Sequence, residues 1–144
     1  MEIQLRAALP PDVDFAKALY FTTMRANIES LFGWDERRQE ESFVGWFDLQ
    51  QAQIIVADGC DVGWLQTRWT ATEVFLGSLY VKPEMQGRGI GSYVLNDVIA
   101  QCRDSAMELT LAVMKINPAI RLYERLGFRV THEDQYKFYM RFEA

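Results

Sequence analysis

Residues Gln86-Gly87-Arg88-Gly89-Ile90-Gly91 stand between the run Phe75-Leu76-Gly77-Ser78-Leu79-Tyr80-Val81 and a stretch with apolar residues at Ile90, Val94, Val98 and Cys102. The first run suits a strand and the second an amphipathic helix. Three glycines at alternate positions leave the backbone unshielded, so amide N–H groups can converge on an anion. The helix N-terminus behind them adds its unsatisfied donors and positive dipole end. The plainer reading is a turn that lets helix and strand pack closely. Against it, Val81-Lys82-Pro83-Glu84-Met85 ends the strand abruptly, and Gln86 and Arg88 bring polar side chains to the same loop.

With 144 residues the chain predicts one domain, residues 1–144, with enough length for a real core. Apolar residues make up 49% and charged residues 24%, a globular composition that argues against disorder. A net charge of −5 argues against a nucleic-acid partner and leans weakly toward a cationic one. Cys60 and Cys102 are the two cysteines, too few for a disulfide framework or a zinc site, and no metal is expected. The start Met1-Glu2-Ile3-Gln4-Leu5-Arg6 lacks the apolar core of a signal peptide, and no window approaches a membrane span, so a cytoplasmic protein without a membrane partner is expected.

Ile3 and Leu5 alternate with polar neighbours and predict a first strand, which Pro10-Pro11-Asp12 stops. Val13 to Phe32 has a helical period and Gly33 a C-terminal stop; Asp35 caps a second helix reaching about Leu49. Ile54–Ala57, Val62–Trp69 and Glu73–Val81 read as an antiparallel meander, with Asp58-Gly59 as its first turn. After the loop and its helix, to about Ser105, Leu109–Val113 is a strand and Pro118–Leu126 a helix closed by Gly127. Phe128–Val130 and Tyr136–Phe142 form a last hairpin. The expected fold is α/β, a mixed, largely antiparallel sheet flanked by helices in the order βααβββαβαββ.

Two nucleotide-binding readings of the loop fail, one on glycine spacing and one on a missing lysine. A dinucleotide fingerprint needs Gly-x-Gly-x-x-Gly at the opening of a βαβ unit, whereas Gly91 comes one position early and follows a meander. A P-loop needs Gly-Lys-Ser/Thr, and Gly91-Ser92 has no lysine.

The segment Leu79-Tyr80-Val81-x-Pro83-Glu84-x-Gln86-Gly87-Arg88-Gly89-Ile90-Gly91 resembles the acyl-CoA-binding motif of the GNAT superfamily of N-acetyltransferases. That motif is Gln or Arg, two residues, Gly, one residue, then Gly or Ala; Gln86, Gly89 and Gly91 take its defined positions. Asn117-Pro118-Ala119-Ile120-Arg121-Leu122-Tyr123-Glu124-Arg125-Leu126-Gly127-Phe128 is similar to the family's later Asn…Ala…Leu-Tyr…Gly-Phe segment, with Asn117 six residues before Tyr123 where the pattern has seven. The resemblance implies a GNAT-like fold with acetyl-CoA as cosubstrate. It implies that the amides of Gln86, Gly87, Arg88, Gly89, Ile90, Gly91 and Ser92 hold the CoA pyrophosphate. The backbone of the Leu79-Tyr80-Val81 segment, through Leu79 and Val81, would pair with the pantetheine arm as an added strand. Gly77 would permit the splay that opens the slot. Asn117 would contact the arm, or serve only as a helix N-cap.

Acetyl transfer to an amine needs a neutral nucleophile, donors at the thioester carbonyl and a proton for the departing thiolate. The resemblance places the general acid on Tyr123, whose plainer role is packing beside Leu122 and Leu126. For the base the candidates are Glu73 at the start of its strand, His132 and water, with exposed-edge and solvated-turn roles as the alternatives for the two side chains. Trp34, beside Asp35, Glu36, Glu40 and Glu41, is the candidate wall of an acceptor pocket for a cationic amine, against the alternative of a solvated helix face. The expectation is an N-acetyltransferase acting on a primary amine of a small molecule or peptide by direct attack. The alternative is a non-catalytic acyl-CoA-binding sensor or structural protein on the same fold. The last hairpin offers an edge for a homodimer.

Overall fold

Alternating and helical apolar periods succeed one another along the chain, and each becomes the corresponding element. The computed structural model describes residues 1–143. The elements are β1 (Ile3–Ala7), α1 (Val13–Phe32), α2 (Glu36–Trp46), β2 (Ala52–Ala57), β3 (Cys60–Trp69), β4 (Glu73–Val81), α3 (Ile90–Asp104), β5 (Glu108–Met114), α4 (Ile120–Leu126), β6 (Phe128–Glu133) and β7 (Lys137–Phe142). The succession βααβββαβαββ is the expected one. The strands form a seven-stranded sheet in the order β1-β2-β3-β4-β5-β7-β6. Pairs β1–β2, β2–β3, β5–β7 and β6–β7 are antiparallel, and β4–β5 is parallel.

Several boundaries differ from the sequence reading for local reasons. α2 ends at Trp46, short of Leu49, because Phe47 turns extended and Asp48 caps a 3-10 turn at Leu49–Gln51 through the Gln50 amide. α4 starts at Ile120, not Pro118, because the Asn117 side chain accepts the Ala119 amide at 2.9 Å and holds a turn ahead of the helix. β6 runs on to Glu133 and so takes His132 out of the expected turn and into a strand. It pays for that length with a bulge between Val130 and His132.

The chain divides into two compact units, Met1–Gln66 with Leu79–Met85, and Thr67–Ser78 with Gln86 onward. β3 and β4 contribute to both. In the first unit Trp64 and Phe43, each at most 1% exposed, centre a core with Leu19, Ile54 and Ala52, against which Tyr20, Trp46, Phe47 and Tyr80 pack. Trp64 lies 5.3 Å from Tyr80 and 5.4 Å from Phe47, ring centre to ring centre. Arg6 on β1 forks onto Asp12 at 2.8 and 2.9 Å and also reaches Asp61 on β3.

In the second unit α3 buries Ile90, Val94, Leu95, Val98, Ile99 and Cys102, a stripe at helical spacing. Each such aliphatic residue taken fully from water contributes about 1.5–3 kcal/mol, enough to hold the start of α3 in place. The β4–β5 ladder runs from Glu73↔Glu108 to Leu76↔Leu111, immediately before Gly77, while β4 continues to Val81 and β5 to Met114. The division between the units falls at Ser78/Leu79, two residues past the end of that ladder.

Candidate functional site

The glycine loop is shaped by its backbone. Met85 donates to the Lys82 carbonyl at 2.8 Å and closes a 3-10 turn at Pro83–Met85. Gly87 (φ +77°) and Gly89 (φ +84°) then take left-handed conformations that L side chains resist. A Cβ at either would meet nothing within 4 Å, so these glycines serve the turn and the open space in front of it, not a close packing contact. Gly89 is the N-cap of α3 and supplies no side-chain acceptor to the helix amides. Ile90, 1% exposed, anchors the first turn from below while Gln86, Gly87, Arg88 and Gly89 face solvent. Backbone donors without a side-chain cap at the positive end of a 15-residue helix are a chemistry suited to an anion.

Gly91 plays a different part. Its missing Cβ would lie 3.1 Å from Leu122 Cδ2, so α4 rests against the first turn of α3. Tyr123, the next residue, is 7% exposed and meets Phe128 edge-on at 5.8 Å. Burial pushes its phenol up to about 12, so it is a protonated acid at every physiological pH. Asn117 is half-buried, and its side-chain oxygen is engaged by the Ala119 amide; the N-cap position of α4 itself is Ala119.

Glu73 is not on an edge. β4 is the fourth of seven strands, Glu73 is half-buried, and its carboxylate accepts the Thr110 hydroxyl of β5. Sequence reasoning missed Thr110; its only signal is a hydroxyl at an alternate position in the run Leu109-Thr110-Leu111. His132 is exposed, stacks on Tyr139 at 4.4 Å and contacts the Thr131 hydroxyl through Nδ1. Tyr139 in turn donates to Asp134, which also accepts the Tyr136 and Lys137 amides.

Trp34 is half-buried between Phe21, edge-on at 5.2 Å, and Arg25, whose guanidinium stands 5.0 Å over the ring. Its indole N–H donates to Glu36. A cation is therefore already in place on the ring. The acidic residues nearby are also engaged locally: Asp35 caps the Arg38 amide, Glu40 pairs with Lys17 at 3.6 Å and Glu41 with Arg37 at 3.2 Å. Among the described residues no group of three or more His, Cys, Asp or Glu could hold a metal, and no helix is long and apolar enough to cross a membrane.

A model of the acetyltransferase (GNAT) family matches residues 14–128, from the start of α1 through the first residue of β6. The chain belongs to the GNAT acetyltransferase family. Within it, the thialysine N-epsilon-acetyltransferase of Sus scrofa is 34% identical over 111 residues, which cover 69% of this chain and 65% of the pig protein. The chain thus spans a little under two thirds of that relative's length. Among solved structures, the PaiA N-acetyltransferase of Thermoplasma acidophilum in complex with coenzyme A shares the GNAT fold with a TM-score of 0.81 at 19% identity over the whole of both chains. Arabidopsis thaliana Naa50, in complex with a bisubstrate analogue, gives a TM-score of 0.70 at 19% identity, again over both full chains.

Proposed function

We propose that residues 1–144 form a single acyl-CoA-binding domain that moves an acetyl group from acetyl-CoA to a primary amine of a small molecule or peptide. The observation that carries this reading is the α3 N-terminus, with left-handed Gly87 and Gly89 opening a space in front of amides that no N-cap side chain satisfies. A pyrophosphate fits that chemistry, with the Gln86–Ser92 segment as its cradle. The Lys82 amide donates toward β3, to the Val62 carbonyl at 2.8 Å. By strand alternation the Leu79 and Val81 peptide groups address the opposite side of β4, where the pantetheine arm would run past Tyr80. Asn117, in the turn before α4, is the further proposed CoA contact.

In the reaction the neutral amine nitrogen attacks the thioester carbonyl, a C–N bond forms and the C–S bond breaks. Tyr123 donates its phenolic proton to the departing sulfur, a role that suits a buried, protonated phenol. Glu73, oriented by Thr110, accepts the amine proton directly or through water. Trp34 is the proposed acceptor-binding aromatic, and a cationic acceptor would have to displace Arg25 from its ring. A cytoplasmic site of action accords with two cysteines that are both free thiols.

The test is thiol release from acetyl-CoA over an amine panel headed by thialysine, run beside thermal denaturation with and without the cosubstrate. Turnover of at least one amine, together with a Tm that rises with acetyl-CoA concentration, is expected. A Tm rise without turnover of any amine would identify a non-catalytic acyl-CoA binder. No Tm rise at millimolar acetyl-CoA would sink the reading.

A further inference from the structure

Gly63 lies inside β3 between Val62 and Trp64, where a glycine weakens a strand and marks a place that another backbone approaches closely. A Cβ built on it would stand 2.3 Å from the Tyr80 carbonyl oxygen and 3.2 Å from the Val81 Cα. Real Cβ atoms do not tolerate the first distance, and the atom it meets is backbone. The register of β3 slips at the same point. Ile55 pairs with Gly63 but Val56 with Asp61, which leaves Val62 as a bulge whose carbonyl accepts the Lys82 amide at 2.8 Å. Bulge and glycine together let the last residues of β4 settle onto β3 and hold them from one side.

We infer that Gly63 is a positioning residue for acyl-CoA: by admitting the Tyr80–Val81 backbone it sets where β4 presents Leu79 and Val81 to the pantetheine arm. This rests on the acyl-CoA reading above. An alanine at 63 must displace the β4 backbone by about 1 Å, a scale of misplacement at which bound geometry and its consequences change by orders of magnitude. The Ile55 Cδ1, 3.2 Å from the same Cβ position, adds a second and separable crowding.

The experiment measures CoA binding by calorimetry and steady-state kinetics for wild type, Gly63→Ala, Ile55→Val and the double variant, all below their melting temperatures. Gly63→Ala is expected to raise the CoA Kd and the acetyl-CoA KM about tenfold or more, with the acceptor KM within about twofold of wild type. In the double variant, Ile55→Val relieves the side-chain crowding only, so the melting temperature recovers in part while the CoA Kd stays raised. A folded Gly63→Ala that binds CoA like wild type overturns the inference. So does a double variant in which binding recovers with stability, or failure of both variants to fold, since the residue then serves the fold and not the arm. Failure of the wild type to bind CoA defeats the acyl-CoA reading itself and is read from the same titration.

Discussion

Leu122 Cδ2 stands 3.1 Å from where a Cβ on Gly91 would lie, which ties the helix that carries Tyr123 to the helix that opens behind the glycine loop. The contact is with the end of a flexible side chain, and Gly91 has ordinary helical φ. Gly91→Ala should therefore shift unfolding free energy by less than about 1 kcal/mol, the crowding offset by alanine's better helix propensity. Gly91→Val should cost about 1–3 kcal/mol by overpacking. Urea denaturation of the two variants checks the pair; equal costs would show that Leu122 does not define the space.

Gly89 differs from Gly91 in having a left-handed φ of +84° and open space around it. Its replacement by alanine meets no atom, so the cost is conformational, about 1–2 kcal/mol, and falls on the loop. The expected result is CoA affinity weakened by about tenfold with little change elsewhere, read by calorimetry. Unchanged affinity would remove the loop amides from the site.

Tyr123→Phe keeps the ring against Phe128 and deletes only the hydroxyl. It should lower kcat about 10²- to 10⁴-fold while leaving the CoA Kd unchanged. A kcat within twofold of wild type would end the general-acid role.

The same phenol gives a pH signature. A group that ionises near 12 in the fold and near 10 in the unfolded chain adds nothing to the pH dependence below 10. From about 10 to 12 the unfolded state loses the proton first, so stability falls as pH rises, by up to about 3 kcal/mol. Denaturation between pH 9 and 12 should show that fall in wild type and a shallower one in Tyr123→Phe. Tyr20, also raised by burial, supplies part of what remains.

Arg25 occupies a face of Trp34 that a cationic acceptor would use. Arg25→Ala should lower the KM for a diamine severalfold with kcat maintained, because a cation–π contact worth about 0.5–1 kcal/mol no longer competes. Trp34→Ala should raise that KM. If neither substitution moves it, the acceptor binds elsewhere.

The element order and the glycine loop were legible in the sequence because both rest on local physics. A period of two or of 3.6 residues, and the left-handed freedom of Gly87 and Gly89, are written within a few positions of one another. The helix closed by Gly127 was legible in the same way, whereas the Asn117 to Phe128 motif was legible only through its resemblance to the GNAT family. Boundaries strayed where a side chain captured a backbone group, as Asn117 does with the Ala119 amide and Asp48 with that of Gln50.

The chain by itself thus determined an α/β succession, a glycine-rich, uncapped helix start and a tyrosine on the following helix. Tertiary structure decided what each charged or aromatic side chain does there. Glu73 looked like an edge residue until the crossover placed β5 beside it and Thr110 against its carboxylate. Trp34 looked available until Arg25, nine positions earlier, came to lie on its ring. Gly63 carried no signal beyond being a glycine in a strand, and its meaning came from Tyr80, seventeen residues away. Such partnerships depend on which strands neighbour one another and where a bulge shifts the register, and no local pattern encodes either.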